Sequence, residues 1–186
     1  MADVAIRARE FLYDEMYVPA YGQAPQRPTL GYLVAGYSAG RDLPETWRIV
    51  VDENGSSPAP ELLQPDDETG IAWSGMPEAV QRLVSGYGQE LPDVLRELGV
   101  PDGQIAPAMT HITMRLQASL VHPAMPIQDA IDLAGFLVEA SILFYRFLPG
   151  APCVGGPIEV AAITKHEGFK WIARKHYFDI KYNPDP

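Results

Sequence analysis

Few residues in this chain combine the right type with the right setting for chemistry. Ser74 stands in Ala72-Trp73-Ser74-Gly75-Met76, just before Pro77, where a helix can open. A serine hydroxyl attacks only when a base takes its proton, and this context lacks the two glycines of a nucleophile elbow. Ser74 therefore either orients a neighbouring reactive group or caps the helix that follows. Cys153, the single cysteine, lies beside Gly155-Gly156 with no base close in sequence. It reads as a small buried residue. His111 and His122 are near three helical turns apart, but Pro123 argues against a shared helix, and His166 and His176 flank the last strand-like run. No His, Cys and Asp spacing forms a zinc set. Gly155-Gly156-Pro157 precedes a strand rather than a helix, so it is not a phosphate loop. No metal and no cofactor are expected.

The elements that must position these residues follow from periodicity. Val4 to Tyr17 places Ile6, Phe11, Leu12 and Met16 as on an amphipathic helix. Pro19 to Pro28 reads as a linker. Thr29 to Tyr37 and Trp47 to Val51 read as paired strands, with a turn at Ser38 to Pro44 and a tight-turn signal at Asn54-Gly55. Pro58 to Glu68 reads as irregular and acidic, and Ile71 to Trp73 as a short buried strand. Helical signals follow: one helix from Pro77, with Glu78 near its positive end, to Gly86, a short one over Leu91 to Leu98, one over Ile105 to Leu120, and one opening at Pro126. This last helix is apolar nearly all round from Leu133, with Asp129, Asp132 and Glu139 on its wetter side, so both its faces should be covered. Ile158, Val160 and Ala162 then alternate as in a strand, and Phe169 to Ala173 returns after Lys165-His166-Glu167-Gly168.

Composition sets the outer limits. The chain has 186 residues, of which 47% are hydrophobic and 20% charged, which suits one soluble domain with a core. Leu133 to Leu148 is interrupted by Glu139, Ser141 and Arg146, so no membrane span is expected. With one cysteine and no signal peptide, a cytoplasmic location is expected. Net charge is −10, yet all four lysines (Lys165, Lys170, Lys175, Lys181) lie at the C-terminal end. An acidic body repels phosphates, so no nucleic-acid partner is expected. The basic, aromatic run from Lys170 to Tyr177 reads as a terminal strand with a solvated end.

Three segments, in order, carry a family resemblance. Gly31-Tyr-Leu-Val-Ala-Gly-Tyr37 looks like a central strand ending in Ala-Gly. Trp47 to Gly55 looks like the next strand with its Asp-x-x-Gly turn. Ile71-Ala-Trp-Ser-Gly-Met-Pro77 resembles a strand-to-helix junction reading Gly-Ser-Gly, with Trp73 replacing the first glycine. The late helix and Gly155-Gly156-Pro157-Ile158 complete the pattern, which resembles the C-terminal two-thirds of proteasome β subunits, hydrolases with an N-terminal nucleophile. The resemblance implies an α+β fold: a four-layer αββα sandwich, two helix layers around two packed sheets. It also implies a peptide or protein substrate and a homo-oligomer. It assigns Ser74 to an auxiliary role beside the nucleophile, with Gly75 next to it.

Departures from that family fall at its chemistry, which uses a terminal Thr, Ser or Cys and the α-amine, of pKa about 8, as base. Here Ala2 follows Met1, and Thr29, Thr46, Thr110, Thr113 and Thr164 lack a preceding glycine. No lysine occurs before Lys165, and no acid lies at Arg146 to Pro149. The segment from Gln89 to Ile105 is longer than the family needs. Two expectations follow: residues 1–186 are a single proteasome-like domain missing its first strands, or they are a noncatalytic relative of the same fold.

Overall fold

The computed structural model describes residues 1–63, 69–151 and 153–175. It is a mixed α+β structure of helices and small antiparallel sheets. The backbone divides into two compact units, Met1–Gly70 with Ala162–Lys170, and Ile71–Ala161 with Trp171 onward. Length and composition, which suit one domain, do not register this division.

In the first unit a helical run covers one sheet face. It comprises α1 (Ala2–Arg9), a π-helical stretch Glu10–Tyr17 and α2 (Val18–Tyr21). The run continues past the expected linker boundary at Pro19. Pro19 falls in the first turn of α2, where its missing N–H costs little. The π turns just before it have hydrogen bonds spanning five residues, which also brings residues five apart together. Arg9 accordingly pairs with Asp14 at 2.7 Å. Tyr13, Tyr17 and Tyr21 form a continuous ring ladder, with centroids 5.8 and 5.4 Å apart.

Strands β1 (Leu30–Gly36) and β2 (Glu45–Val51) pair antiparallel as expected, with Tyr32 opposite Ile49 and Val34 opposite Trp47. Beyond β2 lies β3 (Glu61–Leu62), inside the segment expected to be irregular. Two residues are too few for a periodic signal. The sheet order β1-β2-β3 makes β2 central. Among the described residues β1, the segment likened to a central strand, has β2 as its one neighbour. Ile49 and Val51 are each 1% exposed and Ala5 is fully buried, so the core sits between β2 and the helical run. Burying each of these larger side chains contributes roughly 1.5–3 kcal/mol. The turn after β2 follows the Asp-x-x-Gly expectation. Gly55 N–H donates to the Asp52 carbonyl at 2.9 Å, the Asp52 carboxylate accepts from the N–H groups of Asn54 and Ser56, and Gly55 takes φ +73°.

The second unit is mainly helical. It holds α3 (Glu78–Ser85), α4 (Leu91–Glu97), α5 (Asp102–Leu116) and α6 (Ile127–Phe147). Helix α3 ends at Gly86, as expected from the sequence, with φ +81°. A Cβ there would lie 2.8 Å from Leu116 Cβ and 2.9 Å from its carbonyl oxygen, so the position requires glycine twice over. Helix α5 stops at Leu116, short of the expected Leu120, because the chain turns extended and Ala118 N–H bonds the Val84 carbonyl at the end of α3. His122 therefore lies off the helix of His111. Helices α3 and α6 pack through Val80, Val84 and Leu137, with Ile71, Trp73, Leu120 and Leu133 around them. Ile71 to Trp73 is not the short buried strand expected. It runs irregularly along this core, with Ala72 exposed.

Among the described residues α6 is covered within the chain along one face, against α3 and not against a sheet. Leu137, Ser141 and Tyr145, four residues apart, are buried, while Phe136, Val138, Leu143 and Phe147 are exposed. One packed helix covers one stripe and no more. The last two strands form the expected hairpin, β4 (Val160–Thr164) with β5 (Gly168–Ala173). Its turn is closed by Glu167 N–H on Thr164 Oγ1 and by Gly168 at φ +69°. Lys165 pairs with Asp42, which holds that carboxyl below its usual range through a side-chain hydrogen bond and then through charge.

Candidate functional site

Ser74 and Gly75 sit on the irregular segment leading into α3, and their geometry follows from that junction. Gly75 takes φ +84°, a backbone that side chains rarely adopt, although the space around it is open. The glycine turns the chain so that Ser74 is presented outward ahead of the helix. Capping of α3 by Ser74 is not observed. The residue at the helix start is Pro77 and no side chain caps it. The Ser74 side chain makes no hydrogen bond among the described residues, which leaves its hydroxyl available.

Beside Ser74 opens a cleft of about 380 Å3. Its walls come from Trp73, Met76, Val80, Leu137 and Val138, and among the described residues no charged one lines it. Ser141 also borders it, but its hydroxyl already donates to the Leu137 carbonyl at 2.9 Å. The arrangement offers an apolar, neutral recess with one unsatisfied hydroxyl at its edge. Such a site accommodates an aliphatic or aromatic group and places one polar atom against it. Among the described residues no His, Asp, Glu or Lys lines it to act as a base. A serine hydroxyl without a base beside it is a weak nucleophile.

Other candidates separate in space or in exposure. Cys153 is exposed, not buried as expected: the next residue, Val154, is the one that borders the apolar cleft. His111 lies exposed on α5, His122 exposed in the loop before α6, and His166 exposed at the β4–β5 turn. His176 and Tyr177, the end of the basic run that starts at Lys170, lie outside the described residues. Asp129, Asp132 and Glu139 lie exposed on α6. Among the described residues no three His, Cys, Asp or Glu side chains cluster as a metal would need.

The structure also reveals a buried carboxylate that the sequence reading passed over. Glu45, at the start of β2, is 7% exposed. The Ser38 hydroxyl, more than any other partner, holds its carboxyl below the usual range, and Trp47 Nε1 donates to it at 3.1 Å. Arg41 stands 3.7 Å away. These partners fasten the β1–β2 connection, a structural task. Its sequence signal was faint: a carboxylate two residues before a tryptophan, in phase with Ile49 and Val51. Glu78 behaves similarly at the α3 start, accepting Gln89 N–H at 2.9 Å and an Arg82 ion pair at 2.6 Å.

No helix among the described residues is long and apolar enough to cross a membrane. Compared with protein-family models, characterised proteins and solved structures, the chain matches none.

Proposed function

We propose that this chain is a proteasome-β-like subunit of a peptide- or amide-hydrolysing assembly of the N-terminal-nucleophile kind, contributing Ser74 and Gly75 beside the reacting centre and not the nucleophile itself. The observation that supports this most is the unpartnered Ser74 hydroxyl at the edge of an apolar cleft, on a glycine turn that opens α3. In such a role the hydroxyl orients a neighbouring nucleophile or its base, and the cleft receives an apolar side chain of the substrate. The mixed α+β composition, with its antiparallel pair, glycine junction, helices and final hairpin in that order, is compatible with this reading. A scaffolding subunit of the same fold is the second reading. The exposed apolar face of α6, with Phe147 78% exposed, favours it, because such a face suits a neighbouring subunit.

The test has two arms. Peptide boronates, which capture N-terminal threonines, should leave the mass of this chain unchanged, and peptide amides should stay uncut. A covalent adduct mapped to any residue here overturns the proposal. Light scattering should give a homo-oligomer that Phe144→Asp weakens more than Asp132→Lys does. A stable monomer at micromolar concentration overturns the assembly.

A further inference from the structure

Strand β1 is bonded along one edge. Its seven residues pair with β2 from Leu30↔Val51 to Gly36↔Glu45, and the opposite edge has no hydrogen-bond partner among the described residues. Such an edge is a template for another strand, and proteins normally blunt it with charge, proline, a bulge or shortness. None of these guards is present in β1. No Asp, Glu, Lys or Arg occurs between Arg27 and Arg41, in a chain of net charge −10. The outward side chains are Gly31, Leu33 and Ala35, all exposed, with Leu33 at 51%.

The strand is also complementary to itself. Laid antiparallel against a second copy and centred on Leu33, it sets Leu33 opposite Leu33. Gly31 then faces Ala35, and Tyr32 faces Val34 on the face that carries Ile49. The aromatic–β-branched pair occurs twice, a favoured cross-strand combination worth roughly 0.2–1 kcal/mol each. Two copies of an acidic chain repel, and a band without charge lowers that repulsion along this edge. The pairing is two-fold and closed, so it uses both edges and does not propagate.

We infer that the chain pairs with a second copy of itself through β1, antiparallel about Leu33, joining two three-stranded sheets into one continuous sheet. The inference uses the β1–β2 geometry and does not depend on the hydrolase-like proposal.

Cysteine pairing tests it in a Cys153→Ser background. Directly opposite residues in an antiparallel pair have Cα atoms about 4.5–5.5 Å apart, within the range of about 4.4–6.8 Å that a disulfide spans. Leu33→Cys should therefore oxidise to a disulfide-linked dimer. Gly31→Cys alone should not, because the two copies of residue 31 lie about 14 Å apart at about 3.4 Å per residue. A mixture of Gly31→Cys and Ala35→Cys should give the crossed dimer. Leu33→Lys should weaken dimerisation at least tenfold, and mixing it with Leu33→Glu should restore it. Since Leu33 is exposed, these variants keep the fold, which circular dichroism checks. Equal linkage by Gly31→Cys alone, no linkage of Leu33→Cys where light scattering sees dimers, or a monomer at every concentration each overturns the inference.

Discussion

The sheet unit and the helical unit spend similar apolar content in opposite ways. Around β2, period-two alternation puts Ile49 and Val51 on one face, and a single helical run closes over them. Long polar side chains then tie that run to the sheet's loops. Arg9 donates to the Ser57 carbonyl at 2.7 Å, Tyr13 to Gly55 at 2.8 Å and Tyr17 to Pro28 at 2.9 Å, while Arg27, in the connection after the run, donates to Asn54 at 2.8 Å. These satisfy loop carbonyls that the ladder does not reach. In the helical unit, α6 is apolar nearly all round but meets mainly α3, so its core shrinks to Val80, Val84 and Leu137. The contrast teaches that hydrophobicity in excess of what intramolecular partners cover belongs to an outer surface, and here that excess lies on α6.

The sharpest way to break this comparison is to empty each core. Ile49→Ala removes a side chain that is fully enclosed, and a rigid site cannot collapse around the void. The expected loss is about 3–4 kcal/mol in denaturant unfolding. Leu137→Ala removes a comparable volume beside an open cleft, where neighbours can relax, and should cost about 2–3 kcal/mol. Equal losses would mean that the helical core is as tightly set as the sheet core.

How much was legible in the sequence follows the same divide. The paired strands, the Asp52–Gly55 turn, the Gly86 stop, α4 and the β4–β5 hairpin were readable, because alternation and glycine punctuation are local signals. Three features were not. Helix continuation past Pro19 depends on a π register that no periodicity records. Strand β3 is two residues long and exists because β2 offers an edge. The burial of Glu45 depends on Ser38, Arg41 and Trp47 converging in space. At the candidate site, the Ser74-Gly75 junction was legible as a pattern. The cleft beside it was not, since α6 supplies one wall from some sixty residues further along.

A second contrast is electrostatic and can be sharpened by pH. Glu78 lies at the positive end of α3, and its hydrogen bond from Gln89 N–H is the main reason its carboxyl sits below the ordinary 4.5, with burial opposing and Arg82 assisting. A depressed carboxyl means that the native state binds fewer protons there than the unfolded chain does. Its contribution is therefore present above the ordinary carboxylate range and is lost as pH falls through the native value. Glu78→Gln should cost about 1–2 kcal/mol at neutral pH. The gap to the parent should close in acid. A gap that persists at pH 3 would make the loss one of shape, not charge.

The smallest expected effect lies inside the better-packed unit. Ser57 is 7% exposed, and its hydroxyl has no hydrogen-bond partner among the described residues, while its carbonyl is held by Arg9. A buried hydroxyl without a partner loses its hydration and gains nothing in return. The surrounding backbone is already satisfied: the Asp52 carboxylate accepts from Asn54 and Ser56, and the Asp52 N–H donates to the Ser56 carbonyl at 2.9 Å. Ser57→Ala deletes the orphaned oxygen and leaves the Arg9 contact, made to the main chain, intact. The variant should be more stable than the parent by up to about 1 kcal/mol, read as a raised unfolding midpoint at unchanged denaturant slope. Destabilisation instead would reveal that the hydroxyl does hold a partner, and the sheet unit would then be less completely packed than its backbone ties imply.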